Sequence, residues 1–315
     1  MEKYNGLTPT VYIAHDGNDS TGDGTENNPW LTLSKAHSET SNGDIIGFKN
    51  GTYIMTAVGN FDMNQNRFYV GEEKSKVILS AENLVTPTTR GGWQNGTTDS
   101  NTEIHNIRFS SYYILNAITA GTLQHFMGTG TSRLDYYNCE FIDLSYSGNG
   151  QAGGLMAGDS DQYNVRFFFC IWADLTPLHN GSQIFNVRRT ERKDWELYSC
   201  TIVITGDTGF NLNIVGGDNY VTKPDILFIG KNNIIANYST SPCSLTTTPE
   251  APNFISENNC YFNLTGDYGT GVFGSDIITA DPKFIDRDMA VISNLRQALA
   301  LQTISPCIGT GTGSI

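Results

Sequence analysis

Six short segments of the chain, NIRFSS, NCEFID, FCIWAD, SCTIVI, NNIIAN and NCYFNL, can be laid over one another so that their second residues are Ile107, Cys139, Cys170, Cys200, Asn233 and Cys260. Successive members are 32, 31, 30, 33 and 27 residues apart. A unit of this size with two or three short strands and almost no helical periodicity cannot bury an apolar face alone, so it must stack on copies of itself. Two places further on, the same alignment gives Phe109, Phe141, Trp172, Ile202, Ile235 and Phe262. Side chains two apart share one face of a strand, so both columns are predicted to point inward. Arg108, Glu140, Ile171, Thr201, Ile234 and Tyr261, lying between the columns, are predicted to point outward. The architecture that follows is a parallel β-solenoid. Propeller blades are longer and antiparallel, and leucine-rich repeats need a Leu/Asn signature that is absent.

Four of the six cysteines fall in the first inward column, where Cys acts as a small buried hydrophobe. None has CxxC or metal-type spacing, so zinc is not expected and free core thiols are. Cys243 and Cys307 lie outside the column.

With 315 residues, charged residues at only 16%, Gly and Asn recurring at turns and no Pro/Ser linker, the chain reads as one all-β domain. Its nineteen Lys and Arg against thirty-two Asp and Glu leave a net charge of -13, which repels a nucleic-acid backbone. No segment approaches the roughly 20 apolar residues that span a bilayer, and MEKYNGLTPTVYIAH contains no apolar export core. No membrane insertion and no export signal are therefore expected. Six Asn-X-Ser/Thr sequons, at Asn18, Asn50, Asn95, Asn180, Asn237 and Asn263, read as accidents of an Asn/Thr/Ser-rich composition.

The chain opens on VYIAHDGNDSTGDGTENNPWLTLSKAHSE. Tested as an EF-hand loop from Asp16, it offers Asn18 and Ser20 at positions three and five but Thr21 where Gly is required and Asn27 where Glu is required. A turn rich in Gly, Asn and Asp for conformational reasons is the simpler reading. The run from Val11-Tyr12-Ile13 through this loop, LTLSKAHSE and GDIIGFKNGTY resembles the N-terminal signature of the right-handed parallel β-helix proteins of the pectate-lyase-like superfamily. ADPKFI followed by SPCIGTGT is similar to their closing segment, with Cys307 where a small residue is usual. The resemblance implies a right-handed parallel β-helix with a short N-terminal capping helix. Residues 1–41 would form strand, loop and cap, 42–280 the coils, and 281–315 the last coil and its cap. Pro29 and Trp30 would plug the open end, with residues 31–41 lying across the first coil to cover its strand edge.

Such a fold hosts lyases, hydrolases, isomerases and phage tailspikes, so function must come from residues. A hydrolase needs two carboxylates about 5 to 10 Å apart. Asp159 and Asp161 in AGDSDQ would share a strand face at about 6.5 Å, although the tandem Asp-Asp and Gly-His-Gly motifs of polygalacturonase-like enzymes are missing. A lyase needs a basic group beside a uronate carboxylate. Arg188 and Arg189, in the basic cluster NVRRTERKDW, follow a strand predicted to stack beside GGLMAGD and GFNLNIVGG. The alternative for this cluster is a solvated turn paired with Glu191, Asp194 and Glu196. Sugar binding without catalysis needs aromatics and amides, for which Tyr163, Trp195, Asn186 and Asn213 are candidates. No cofactor is demanded, while calcium is compatible wherever acidic groups meet a uronate.

Abundant Thr, Asn and Gly, few lysines, an initiator Met just before the cap and no export signal lead us to expect a glycan-recognising virion surface protein, tailspike-like or fibre-like. A homotrimer is compatible with docking through coil faces, although no C-terminal heptads announce one. The alternatives are an exported lyase or glycoside hydrolase acting on an acidic polysaccharide, and a purely structural virion part.

Overall fold

The computed structural model describes residues 3–54, 63, 66–80, 82, 93–95, 101–115, 122–126, 132–147, 154–158, 163–177, 182–187, 193–205, 212–216, 226–246, 253–264, 272–273, 277–286 and 295–308. These residues form three parallel sheets of ten, eight and six strands, in each of which neighbours come from successive coils. The ten-stranded sheet runs from Val11–Ile13 to Val272–Phe273, the eight-stranded sheet from Gly51–Ile54 to Cys260–Phe262, and the six-stranded sheet from Trp93–Asn95 to Cys243–Thr246. The chain is a parallel β-helix.

In-register stacking gives the interior its order. Phe141 pairs with Phe109 and Trp172 across the eight-stranded sheet, with ring centroids 5.1 and 5.0 Å apart. Tyr136 stacks on Phe167 at 4.9 Å in the ten-stranded sheet. Such spacings follow from the roughly 4.8 Å between strands, which brings identical positions of successive coils into ring contact.

Six successive coils turn from the ten-stranded to the eight-stranded sheet through one left-handed residue. Asn106, Asn138, Phe169, Ser199, Asn232 and Asn258 occupy this place, with φ between 53° and 58°. The buried column residue follows it. Cys139, Cys170 and Cys200 donate their thiols to the carbonyls of Ile104, Tyr136 and Phe167, one coil below. Asn233 and Asn259 do the same with their side-chain amides, toward Leu197 and Gly230. From Cys139 to Asn259 the column is thus a ladder of small donors, each bonded to a carbonyl of the coil below.

This ladder corrects the alignment of the last repeat. Asn259, and not Cys260, continues the column, because its Oδ1 accepts from the Asn233 backbone N–H at 2.8 Å. Ile234 pairs with Cys260 and Ile235 with Tyr261, so Tyr261 is core and Phe262 lies on the outer side. Matching cysteine to cysteine put that strand one residue out of register, which exchanges its two faces. All six cysteines are free thiols.

A second correction concerns the outward column. Arg108, Glu140 and Ile171 are buried. The C-terminal segment crosses the outside of the eight-stranded sheet, packing Phe284, Leu295 and Leu299 against Ile142, Ile171, Ala173, Val203 and Ala236. Helix α2 (Leu295–Ala298) brings Arg296 to Glu140, 2.9 Å away, while Arg108 Nε donates to the same carboxylate at 2.7 Å.

The opening loop is the predicted cap. Asn18 accepts from the N–H groups of Ser20 and Thr21, Asp23 from Thr25, and Asp19 from Leu31, Thr32 and the Thr32 hydroxyl. The Asp19 and Asp23 oxygens are occupied by the loop's own backbone and threonine hydroxyls. Helix α1 (Leu33–Glu39) is N-capped by Thr32 and buries Leu33 and Ala36 against the first coil. Among the described residues no cluster of three or more His, Cys, Asp or Glu could hold a metal, and no helix is long and apolar enough to cross a membrane.

Helix α1 also carries a titrating group. Burial, helped by the Arg67 charge, pushes the His37 imidazole down to about 4. Its Nε2 lies 2.9 Å from the Tyr69 hydroxyl. Because the folded-state value is below the ordinary 6.5, the unfolded chain takes up a proton first as pH falls. The stabilisation is complete above about pH 6.5 and is lost progressively toward pH 4, by roughly 3 kcal/mol at most. Melting temperature followed between pH 7 and 4.5 should fall in wild type and fall less in His37→Gln. Parallel curves for the two proteins would refute the assignment.

Candidate functional site

The outer face of the ten-stranded sheet carries two rows of side chains. Ile104, Tyr136, Phe167 and Leu197 point into the core, so their neighbours on either side point out. The row next to the corner is His105, Tyr137, Phe168 and Tyr198, paired in register from coil to coil. Their rings form a continuous stack, with centroids 4.5, 4.7 and 5.2 Å apart and planes within 14°. Ring faces within the stack cover one another, and the Tyr137 and Tyr198 hydroxyls reach sideways to Asp135 and Glu196.

The second row is Glu103, Asp135, Arg166 and Glu196. Arg166 grips the buried Asp135 with two bonds, of 2.8 and 2.5 Å, and its guanidinium sits 5.4 Å from the centre of the Phe168 ring. The Asp135 hydrogen bond raises the Arg166 pKa further, so this arginine stays charged at any working pH. Arg133 approaches Asp135 at 3.0 Å and Glu103 at 3.5 Å, with its side chain 42% exposed. The Glu103 carboxyl is held below its usual range by the hydrogen bond with His105, with help from Arg133 and Arg166 against the cost of burial. Burial, and then Asp135 and Glu103, push the Tyr137 phenol up to about 12. The Tyr198 hydroxyl donates to Glu196 at 2.6 Å. Asn101 and Asn164, register partners of Arg133, are exposed at the side of the rows.

The result is a flat, polar face that presents guanidinium, carboxylate, phenol and amide groups at regular intervals. It suits recognition of an extended, hydroxyl-rich chain. Glu103, held below its usual range on this face, is displaced away from the direction acid catalysis would use. A general acid working near neutral pH needs the opposite shift.

Of the residues singled out in the sequence, Asp159, Asp161, Arg188 and Arg189 lie outside the described residues. The strand preceding the basic cluster, Ser182–Val187, does lie between Gly154–Gly158 and Leu212–Gly216 in the six-stranded sheet. Gly158 and Val187 are register partners at the ends of these strands. Asn186 pairs with Ala157 and Gly216, Asn213 with Gln183 and Ser244, and Tyr163 opens its strand opposite Ser132. Trp195 is a correction. It is 1% exposed and packs on Phe167 and Phe185, so its ring belongs to the core and has no face to offer a sugar.

The outer rows were missed in the sequence because each aligned segment was begun one residue before the column. One step further back, TEIHN, LDYYN, VRFFF and WELYS repeat the same alternation and carry both rows.

A family described as disaggregatase related matches residues 198–311. No curated protein matches the chain. Among solved structures it is similar to a rhamnogalacturonan lyase, at 14% identity over 81% of this chain and 74% of that one, with a TM-score of 0.53. It is also similar to a pectin methylesterase from carrot, at 12% identity over 87% and 89% of the two chains and a TM-score of 0.46. A pectate lyase follows at 13% identity, 99% and 94% coverage and a TM-score of 0.35. At 14% identity, the likeness to the rhamnogalacturonan lyase shows a shared fold and no more.

Proposed function

We propose that this protein is a glycan-recognising β-helix whose binding face is the outside of the ten-stranded sheet, around Glu103, Arg133, Tyr137, Arg166, Glu196 and Tyr198. The observation that carries the reading is the pair of in-register rows, which repeats polar and aromatic groups along the helix axis as an extended polymer would require. The fold shared with a rhamnogalacturonan lyase supports it as an analogy. Both arginines are committed to Asp135, and the chain carries a net charge of -13, so hydroxyl-rich uncharged polymers are favoured over polyuronates.

A second reading, depolymerisation by the 159–161 and 188–189 segments, is favoured by the pairing of Gly158 with Val187. One experiment scores both: purified protein is incubated with a panel of neutral and acidic polysaccharides, with and without calcium, while unsaturated uronates, new reducing ends and retention on the immobilised polymers are followed. Retention without turnover is the expected result. Turnover abolished by Arg188→Ala with Arg189→Ala would establish the second reading, and neither retention nor turnover by folded protein would dismiss both.

A further inference from the structure

We propose that Phe169 is a ligand-contacting residue, its ring being the apolar platform on which a sugar of the bound glycan stacks. The inference rests on the glycan-binding reading of the adjacent face and names a group within it that neither row contains.

Phe169 occupies the left-handed corner position with φ 56°. The same position is Asn in four of the other coils and Ser in the fifth, residues whose short polar side chains tolerate this conformation. A bulky aromatic there is an outlier, held against steric cost. Burial does not offset that cost, since the residue is 45% exposed and belongs to neither core cluster. Stacking does not offset it either: among the described residues no ring packs on Phe169, whereas Phe168 beside it is stacked on both sides. Its neighbours along the corner, Asn138 and Ser199, carry short side chains with no ring to stack on it.

Only its backbone is tied down. The Phe169 N–H donates to Tyr198 O at 3.0 Å, and its carbonyl accepts from Arg296 at 3.4 Å. The ring is therefore presented from a fixed backbone point next in sequence to Phe168, whose own ring lies against Arg166 and Tyr198. Strain that the folded state does not use points to function. An exposed ring next to hydrogen-bonding groups matches the two sides of a sugar, apolar C–H face and polar hydroxyl edge.

The test uses the full chain as wild type, Phe169→Asn and Phe169→Tyr, run by affinity electrophoresis through gels containing galactan, xylan or polygalacturonate, with thermal melts in parallel. Wild type should be retarded by at least one polymer. Phe169→Asn should bind roughly ten-fold more weakly, and Phe169→Tyr should bind nearly as wild type. Because Asn suits the left-handed conformation, Phe169→Asn should at the same time melt about 1–3 °C higher. Opposite movement of stability and binding is the signature, since a ring that served only packing would lose both together. Unchanged binding by Phe169→Asn, or weaker binding with a lower melting temperature, overturns the inference while leaving the face intact. A wild-type protein retarded by none of the three polymers overturns the glycan-binding reading itself, and this inference with it.

Discussion

Glu140→Ala should destabilise the protein by about 3–5 kcal/mol, although the residue stands at a position whose side chains are predicted to face solvent. Its side chain is 1% exposed and meets three partners: Arg108, whose side chain is 5% exposed, Arg296, and the Ser75 hydroxyl at 2.6 Å. Removing the carboxylate leaves the two guanidinium groups it joins without that counter-charge, and the one on Arg108 is nearly buried. The cost is that of the orphaned cations more than of the lost bonds, because burying an unpaired charge is penalised far more heavily than burying a matched pair. A double variant, Glu140→Met with Arg108→Met, removes the orphan on the coil side and should recover most of the loss. Urea titration of the three proteins measures this directly, and a single-variant loss below 1 kcal/mol would show that water reaches the cluster. Arg296 also holds the carbonyls of Asn138 and Phe169, at 2.8 and 3.4 Å, so its anchor to the corner is shared with Glu140. Amide exchange in residues 295–301 should accordingly quicken in Glu140→Ala before the coils themselves open.

The coil was legible because its signal is repeated. A side chain that stacks on its own counterpart one coil away must recur at the coil length, and Phe109, Phe141 and Trp172 announce that length without any knowledge of the third dimension. The cover over the eight-stranded sheet was not read, yet its trace is present. The strands CIWAD, TIVI and IIAN are apolar on both parities, as expected of strands buried on both faces, whereas a solvent-facing strand alternates. Ile142, Ile171, Ala173, Val203 and Ala236 were waiting for a partner, and alternation within one strand cannot say which distant segment supplies it. The slip at Cys260 has a related cause: residue identity was taken as the marker of the column, when the property selected there is a small hydrogen-bond donor, met by Cys in three coils and by Asn in two.

The candidate site was harder to read than the fold. Charged residues in a turn attract attention, so the sequence drew the eye to Arg188 and Arg189. The outer face of the ten-stranded sheet distributes its chemistry one residue per coil, with Glu103, Asp135, Arg166 and Glu196 some thirty residues apart and adjacent only after stacking. Trp195 shows the converse error. A tryptophan in a charged neighbourhood looks like a surface ligand, but the alternation of Asp194, Trp195 and Glu196 places it on the inner side by the same period-two rule that oriented the column.

Trp30→Ala should be the second severe lesion, costing about 3–5 kcal/mol, and its character should differ from that of Glu140→Ala. Val11–Ile13 is the terminal strand of the ten-stranded sheet, and its free edge is closed by the loop that the acidic residues scaffold: Tyr12 N–H donates to Gly24 O, Trp30 N–H to Tyr12 O, and Ala14 N–H to Trp30 O, at 2.8 to 3.1 Å. Trp30, 6% exposed, pins that loop in place, its indole N–H bonded to Gly22 O at 3.0 Å and its ring against Gly24. Gly24 has φ 77°, and a Cβ there would lie 2.7 Å from the ring, so the turn and the tryptophan require each other. Without the ring the loop loses its one large apolar anchor while the strand beneath keeps its own sheet bonds to Ile46, Gly47 and Phe48. The cap should therefore open first, exposing a parallel edge able to pair with another molecule. Trp30→Ala is expected to self-associate at temperatures well below its melting point, with fast amide exchange confined to residues 11–39, and light scattering together with exchange measured by mass spectrometry reads both. Glu140→Ala should stay monodisperse under the same conditions, because its lesion uncovers the outside of a sheet and leaves the cap over Val11–Ile13 in place. If Trp30→Ala remained monodisperse to its melting point with the cap amides protected, the loop would be closing that edge through its backbone bonds alone.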